Sequence, residues 1–440
     1  MVRGYAASYD RPSQLNPDVR HHGGVPVRLR VVCAAVCGLT GVGLVAGCEP
    51  PRASGTVAVS DSAGLRITTI TVPPNDLEEW TLAPTPALVI TGAESGDSAA
   101  LAPVGSVRWH ASGDIIIADL GASRLLVYDA AGTFVHALGR RGDGPGEFRY
   151  ISAVTLLHTD TVVTFDGSLR RLSYWHRRNG FARSVSLAAG ASLDAWPAEA
   201  WPWRDSMIVV LQLAITPKDS VPAGAGMRRW PMRAHLSLRD REGEVVATSP
   251  TFPGMYTGLY EGGDTRLPFS NQPFVAVGRD RVFFGSGEAY RIWSLASDFR
   301  TEGEVRWPGA DEALSAAEVA AVRTETQAVL MARLPPERLR ELDMNFAPEI
   351  LPETRPAIGR VLVDPEDRLW VERFEATRLG TRTQKPGDRW TVLGPDGRPV
   401  ARVRLPSNTR LEAVQGQRAL VVQRDSLDTE TVAVYDIRRP

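Results

Sequence analysis

The feature of this sequence that most constrains its fold is an internal repeat with a period of 47 residues. Residues 107–138 align without a gap on residues 154–185, and the run Ile115–Asp119 falls on Val162–Asp166. Further pairs at the same offset are Phe134 and Phe181, Gly92 and Gly139, and Leu101 and Phe148. A period of this length is typical of solenoids and propellers, in which each repeat is one supersecondary unit.

Each unit has the pattern of a small antiparallel meander. An apolar run ends at an acidic residue, a short turn leads to the strand Leu125–Tyr128, and the turn Asp129–Gly132 leads to a further strand, Phe134–Leu138. The segment Gly139–Phe148 follows, and its four glycines and one proline indicate a long surface loop. Units of this size, built as four-stranded meanders, are the blades of β-propellers.

The motifs of these units resemble those of NHL-type six-bladed β-propeller lipoproteins of bacterial envelopes. The resemblance rests on Ala118–Asp119, Arg124–Leu125, the Tyr-Asp-x-x-Gly turn that begins at Tyr128, the loop GRRGDGPGEF, and the segments 348–357 and 364–371. It implies an all-β fold, a six-bladed β-propeller of four-stranded antiparallel blades over residues 64–440. We expect the blades at residues 104–149, 151–190, 200–250, 273–307, 358–405 and 409–438.

Two segments depart from the simple repeat. The sixth unit shows three obvious strands, and we expect the orphan strand Ala87–Thr91 to complete it, because a ring closed by both chain ends has no open edge. Residues 311–345 are rich in Ala, Glu, Leu and Arg and begin with a capping box from Ser315 to Glu318. They predict a helical insertion between blades four and five, either a packing element over one mouth of the ring or a lid or docking surface.

Residues 28–48, RLRVVCAAVCGLTGVGLVAGC, have the pattern of an export signal. Arg28 and Arg30 form a short basic stretch, and the run Val31–Ala46 is uncharged and mostly apolar or small. This run is shorter than the about 20 residues that a membrane-spanning helix needs, whereas it suits the apolar region of a secretory signal.

The run ends in Val45–Cys48, which resembles a bacterial lipobox. The resemblance implies cleavage between Gly47 and Cys48 and lipidation of Cys48, which would anchor the chain to a membrane. The alternatives are an ordinary signal peptide without a lipid and a short buried hydrophobic segment. The predicted domains are a signal peptide at 1–47, with its start at residue 1 or nearer 25–27, a lipidated cysteine with a flexible tether at 48–63, and the propeller at 64–440.

Composition and cysteine content exclude several classes of protein. The formal net charge is −1, which argues against a protein that binds nucleic acid by neutralising phosphates. Cys33 and Cys37 lie in the segment predicted to be removed, so the mature chain keeps Cys48 alone. It then has neither a disulfide nor a thiolate metal site. We predict no metal site and no cofactor.

Ordinary catalytic motifs are absent from the sequence, and we predict no catalytic residues. There is no Gly-x-Ser-x-Gly elbow and no Walker loop, and no His-x-x-x-His pair is present. We therefore compared the residues at the end of each unit's main apolar strand, which are expected to share one end of the ring. These residues are Asp119, Asp166, Ser286, Arg373 and Arg424.

The set carries charges of both signs and could form a mouth that binds a ligand of mixed charge. The alternative is that the side chains make local pairs. Asp119 would then pair with Arg124 and Asp166 with Arg171, while Arg424 has Asp425 and Asp428 close by in sequence.

Two function classes remain open. The first is a lipid-anchored protein of the bacterial cell envelope, at the periplasmic face or the cell surface, that binds a protein, peptide or glycan without catalysis. The second is a propeller hydrolase such as a lactonase, with a metal held by oxygen ligands, and it rests on fold analogy. A component that passes a ligand to a transporter is a third possibility.

Overall fold

The structure, a computed structural model, describes most of the chain after residue 56. The described residues are 57–71, 77–92, 101, 103–157, 160–188, 195–204, 206–214, 226–260, 263–308, 312–331, 343–376, 387–427 and 429–440. The predicted signal peptide, with Gly47 and Cys48, lies outside these residues.

Four strands precede the first complete blade. They are β1 (Val57–Ser62), β2 (Leu65–Ile70), β3 (Glu78–Leu82) and β4 (Leu88–Ile90). β1 and β2 form an antiparallel hairpin, in which Val57 lies opposite Ile70. Residues 57–63, which we expected in the flexible tether, are therefore part of the folded domain.

The strands of blades one to three follow in chain order. Blade one contains β5 (Val104–Trp109), β6 (Ile115–Asp119), β7 (Arg124–Tyr128) and β8 (Phe134–Leu138), and the short strands β9 (Arg140–Arg141) and β10 (Glu147–Phe148) follow it. Blade two contains β11 (Ile151–Leu156), β12 (Thr161–Asp166), β13 (Arg171–His176) and β14 (Gly180–Ser186). Blade three contains β15 (Ala195–Trp203), β16 (Met207–Ala214), β17 (Arg228–Arg239), β18 (Val245–Thr248), β19 (Phe252–Tyr260) and β20 (Gly263–Arg266).

The second half of the ring has the same organisation. Blade four contains β21 (Phe274–Val277), β22 (Val282–Gly285), β23 (Arg291–Leu295) and β24 (Thr301–Arg306). Blade five contains β25 (Ile358–Val363), β26 (Leu369–Arg373), β27 (Arg389–Leu393) and β28 (Pro399–Arg404). Blade six contains β29 (Thr409–Gln415), β30 (Arg418–Arg424) and β31 (Glu430–Arg438).

The 47-residue repeat is confirmed strand by strand in blades one and two. Adding 47 to the bounds of β5 gives the bounds of β11. The backward register also holds, because Gly92 and Gly139 both have positive φ, at 90° and 77°. A Cβ on Gly92 would collide with the Leu101 side chain, and one on Gly139 would collide with Phe148, so both glycines allow the same close contact.

Apolar clusters between neighbouring blades form the core of the ring. Each of six clusters joins two successive blades, and the cluster that contains Val104 and Leu420 joins blade six to blade one. Ile115 packs toward blade six, whereas Ile116 packs toward blade two, because alternate side chains of a strand point to opposite faces. Both faces of β6 are therefore buried, which explains its uninterrupted apolar sequence.

The N-terminal strands run along the outer edges of three blades. β2 pairs in parallel with β24 of blade four, and β3 pairs in parallel with β28 of blade five. β3 also touches the end of β31, while β4 pairs antiparallel with β31 and completes blade six. The predicted role of the strand Ala87–Thr91 is thus confirmed, and the four strands β1 to β4 form what we call the N-terminal wrap.

Blade three is larger than the expected segment 200–250. It extends from Ala195 to Arg266 because β17 is long enough to pair with two strands along its outer edge. β19 pairs with the first part of β17 and β18 with its last part.

The predicted helical insertion contains helix α1 (Ala316–Met331) and a 3-10 turn (Met344–Phe346). Ser315 caps α1, since its Oγ accepts the Glu318 N–H at 3.2 Å. The insertion buries Leu330 and Phe346 against Phe374, which follows β26 of blade five. In the part of the chain that the structure describes, no helix has the length and apolar character needed to cross a membrane.

Candidate functional site: a charged cluster in the central channel

Asp119, the first of the five predicted site residues, stabilises the turn between β6 and β7. Its Oδ2 accepts a hydrogen bond from Arg124 Nε at 3.1 Å, and its Oδ1 accepts the Ala122 N–H at 3.1 Å. The expected pair between Asp119 and Arg124 is confirmed.

Among the described residues, the hydrogen-bond partners of the Asp166 carboxylate are backbone N–H groups. Its carboxylate accepts the N–H groups of Ser168, Leu169, Arg149 and Tyr150. Arg171 donates to the carbonyl oxygens of Asp143, Gly144 and Glu147 in the preceding loop. The expected ion pair between Asp166 and Arg171 is wrong, because four nearby amides already fill the carboxylate.

The other three predicted site residues, Ser286, Arg373 and Arg424, also have partners close to them in the structure. Ser286 Oγ accepts the Glu288 N–H at 3.2 Å. Arg373 pairs with Glu312, at the start of the helical insertion.

Arg424 pairs through Nη2 with Glu430 Oε1 at 2.6 Å. The described partner is thus Glu430, whereas Asp425 accepts the N–H groups of Leu427 and Thr429. Asp428 lies outside the described residues. Each of the five predicted site residues therefore has a partner within the protein, and a second set of charged residues lies in the central channel of the propeller.

The first strand of each blade is the innermost one and lines the central channel of the propeller. β5 contacts the first strands of both neighbouring blades, β11 and β29. Five of these six innermost strands contain a β-bulge, and Arg360 and Glu412 lie within two of the bulges. Bulges re-aim side chains, and here they bring charged groups from several blades together.

Glu412 of blade six is the hub of this cluster. Its Oε1 pairs with Arg410 Nε at 2.6 Å and lies 3.7 Å from Arg360 Nη1. Its Oε2 accepts the Val107 N–H at 3.2 Å and lies 3.4 Å from Arg108 Nη1. Burial alone would raise the pKa of Glu412, but the charges of the three arginines outweigh burial and lower it.

Arg360 of blade five and Arg410 of blade six are held on several sides. Arg360 donates through Nε to Glu372 Oε2 at 3.1 Å and through Nη2 to the Leu411 carbonyl at 2.9 Å. Burial lowers the pKa of Arg360, but Glu372 and Glu412 outweigh burial and raise it. Arg410 Nη2 donates to the carbonyl oxygens of Val104 and Gly105 in blade one.

Arg108 of blade one is held by the described residues through one nitrogen, Nη1. Within the described residues, its hydrogen bonds all use Nη1, which donates to the Val107 carbonyl at 2.8 Å and to Glu412. Its side chain keeps 28% of its surface exposed. Burial lowers the pKa of Arg108 in spite of the opposing effect of Glu412, so the cluster does not fully compensate this charge.

Glu199 of blade three faces this cluster from across the channel. The charges of Arg108 and Arg360 act on it, although blade two separates blade three from blade one and blade four separates it from blade five. Glu199 keeps an exposed surface, but many protein atoms surround its carboxyl group within the ring. Desolvation therefore raises the pKa of Glu199 to about 7, and the two arginines only partly oppose the rise.

The raised pKa of Glu199 predicts a pH-dependent effect of replacing it with glutamine. When the pKa of a carboxyl group is higher in the folded than in the unfolded state, the protein becomes less stable as the pH rises from the unfolded-state pKa to the folded-state pKa. Glu199→Gln should therefore raise the melting temperature by a few degrees at pH 8, and the difference should vanish below the unperturbed pKa of 4.5, where the carboxyl is protonated in both the folded and the unfolded state. Thermal unfolding of the two proteins across this range measures the effect, and a variant less stable than the wild type at pH 8 would contradict it.

The six charged residues of the channel were not among the predicted site residues. They are Arg108, Glu199, Arg360, Glu372, Arg410 and Glu412. Glu372 lies on β26, a second strand. For the other five residues the available signal was a charged residue inside a first strand, as in Leu411-Glu412-Ala413. Among the described residues, no group of His, Cys, Asp and Glu side chains has the arrangement of a metal site.

Comparison with known proteins supports the fold. Residues 94–168 match the model of a protein family described as a 6-bladed beta-propeller. The chain is a six-bladed β-propeller. No curated protein matches its sequence.

Solved structures of other proteins are similar to this propeller at low sequence identity. A member of the DUF4221 family from Bacteroides vulgatus has a TM-score of 0.49 and 10% identity, over 83% of this chain and 100% of that one. An exported protein from Bacteroides fragilis has a TM-score of 0.44 and 10% identity, over 82% and 99%. Regucalcin, a calcium-binding protein from Agrobacterium tumefaciens, has a TM-score of 0.36 and 12% identity, over 82% and 96%.

Proposed function

We propose that this propeller is a non-enzymatic binding module, anchored by lipid at the bacterial envelope, that holds its ligand in the central channel. The observation that carries the proposal is Arg108, which hydrogen-bonds to the described residues through Nη1 alone and keeps 28% of its side-chain surface exposed. The NHL-type motifs and the lipobox-like run before Cys48 support the class of protein and its location.

Stability does not explain the channel cluster. Buried ion pairs contribute little to folding, and replacing them with apolar side chains is often neutral or stabilising. The six inter-blade clusters already supply the apolar core of the ring. Perturbed charged groups that converge in a cavity are instead typical of functional sites.

A binding experiment with four probes of different charge tests the proposed function. The full chain, solubilised from membranes, is incubated with glycylglycine, succinate, putrescine or trehalose and examined by native mass spectrometry. We expect at least one charged probe to bind with its mass unchanged and to be lost in Arg108→Gln. Chemical conversion of a probe, a stoichiometric metal ion in the same preparation, or no binding of any probe would overturn the proposal.

The lipid anchor is tested at Cys48. Metabolic labelling with an alkyne analogue of palmitate should label the wild-type chain, and Cys48→Ser should abolish the label and release the protein from the membrane fraction. Cys33→Ser is the matched control and should keep the label, because Cys33 lies in the predicted signal peptide. A labelled Cys48→Ser variant would show that the anchor is elsewhere.

A further inference from the structure

The guanidinium group of Arg108 presents a free edge to the channel. Its contacts with the described residues all use Nη1, so Nε and Nη2 are left without a described partner. These two nitrogens lie on the same side of the planar group and form the fork that binds the two oxygens of a carboxylate. The contacts of Nη1 with Val107 and Glu412 fix the direction in which this fork points.

The charge of the surrounding groups favours a single negative charge on the ligand. Arg108, Arg360 and Arg410 carry three positive charges on this side of the channel, and Glu372 and Glu412 carry two negative ones. One carboxylate therefore balances the cluster, whereas a phosphate dianion would bring an excess of negative charge beside two buried glutamates.

Glu199, on the opposite side of the channel, favours a positively charged group on the ligand. No described residue makes a hydrogen bond or ion pair with its carboxylate, and the arginines that act on it belong to blades one and five. An ammonium group of a ligand would supply the missing positive charge in a site that water only partly solvates.

We infer that the channel binds a small zwitterion, with its carboxylate on the Nε and Nη2 edge of Arg108 and its ammonium group toward Glu199. The inference rests on the proposed function and names the class of ligand. Free amino acids and the two ends of a short peptide share this chemistry, and they differ in the distance between the two charged groups.

The titration of Glu199 should make binding of the zwitterion depend on pH. Glu199 has a pKa of about 7, and its ionised form is the one that attracts an ammonium group, so binding should weaken about tenfold per pH unit below 7. The charged groups that act on Glu199 are Arg108 and Arg360, which stay protonated in this range. Burial also raises the pKa of Glu372, a further carboxyl group of the cluster. The pH dependence of binding is therefore assigned to Glu199 only if it disappears in Glu199→Gln.

A series of zwitterions of increasing length is the test. Glycine, 4-aminobutyrate, 6-aminohexanoate, glycylglycine and triglycine are titrated into the full chain by calorimetry at pH 8 and pH 6. We expect one length to bind best and to bind roughly tenfold or more tightly than butyrate and butylamine, each of which keeps one of the two charges. A preference for glycine would indicate an α-amino acid, and a preference for triglycine would indicate peptide ends.

Two variants complete the test, with thermal unfolding used to confirm that each is folded. Arg108→Gln should weaken the best zwitterion roughly tenfold or more, and Glu199→Gln should make the zwitterion no better than butyrate. Equal binding of zwitterion and butyrate by the wild type would overturn the zwitterion assignment and leave the binding function intact. Binding of none of these compounds, nor of the four probes above, would remove both.

Discussion

Replacing Glu412 with alanine is expected to lower the free energy of unfolding by about 3 kcal/mol, because one change removes the partner of several arginines. The side chain of Glu412 is only 6% exposed, and it pairs with Arg108, Arg360 and Arg410. Breaking a buried pair on one side leaves uncompensated charge, which costs more than the pair contributes. Arg360 keeps Glu372 as a partner, so the loss should stay near this value rather than exceed it.

Denaturant unfolding of matched variants measures the effect of Glu412. Asp436→Ala is the control within the same blade, because Asp436 and its partner Arg418 are each 59% exposed, and exposed pairs contribute about 0–1 kcal/mol. Glu412→Gln should fall between the two, since it keeps the shape but not the charge. If Glu412→Ala proves as stable as Asp436→Ala, the Glu412 carboxylate does not stabilise the charged cluster.

Replacing Trp80 with alanine is expected to lower the free energy of unfolding by about 3–5 kcal/mol. Trp80 lies on β3 of the N-terminal wrap and is only 2% exposed. It packs in the cluster between blades five and six, with its ring 5.9 Å from that of Trp370, and the Arg439 guanidinium lies 4.4 Å from its centre. Deleting such a side chain leaves a large cavity at the place where the wrap joins two blades.

Val89→Ala is the matched control for Trp80, because Val89 lies on β4 of the same wrap and is 44% exposed. It should change stability by no more than about 0.5 kcal/mol. Limited proteolysis of Trp80→Ala should also cut between β2 and β4 earlier than in the wild type, as the wrap loosens before the blades unfold. A Trp80→Ala variant as stable as the control would show that the wrap does not hold the ring.

The ring of blades was predictable from sequence because each blade buries both faces of its second strand. This produces runs such as Ile115–Asp119, which repeat at a constant offset and reveal the register directly. The pairing of β4 with β31 was predictable for the same reason, since only one orphan strand and one incomplete blade were available. By contrast, β1 and β2 were not predicted, because β1 is largely exposed and its sequence is that of a polar linker.

The candidate site was much less predictable. The sequence shows acids and arginines at the ends of second strands, and these proved to have partners in the following turn, on the next strand or in the helical insertion. The channel is lined by first strands, in which bulges interrupt the alternation of inward and outward side chains. A charged residue such as Arg360 or Glu412 therefore gives no indication in sequence of which way it points or what it meets on other blades.

The N-terminal wrap also determines when a newly made chain can complete its fold. β4 is synthesised before the first complete blade, but its partner β31 ends at Arg438. β3 cannot pair until β28 of blade five has been synthesised. A chain interrupted during synthesis thus keeps unpaired strands at both of its ends, and such open edges promote aggregation. Closure of the ring requires β31, and the contacts of the channel site between blades one, five and six form only when those blades have been made.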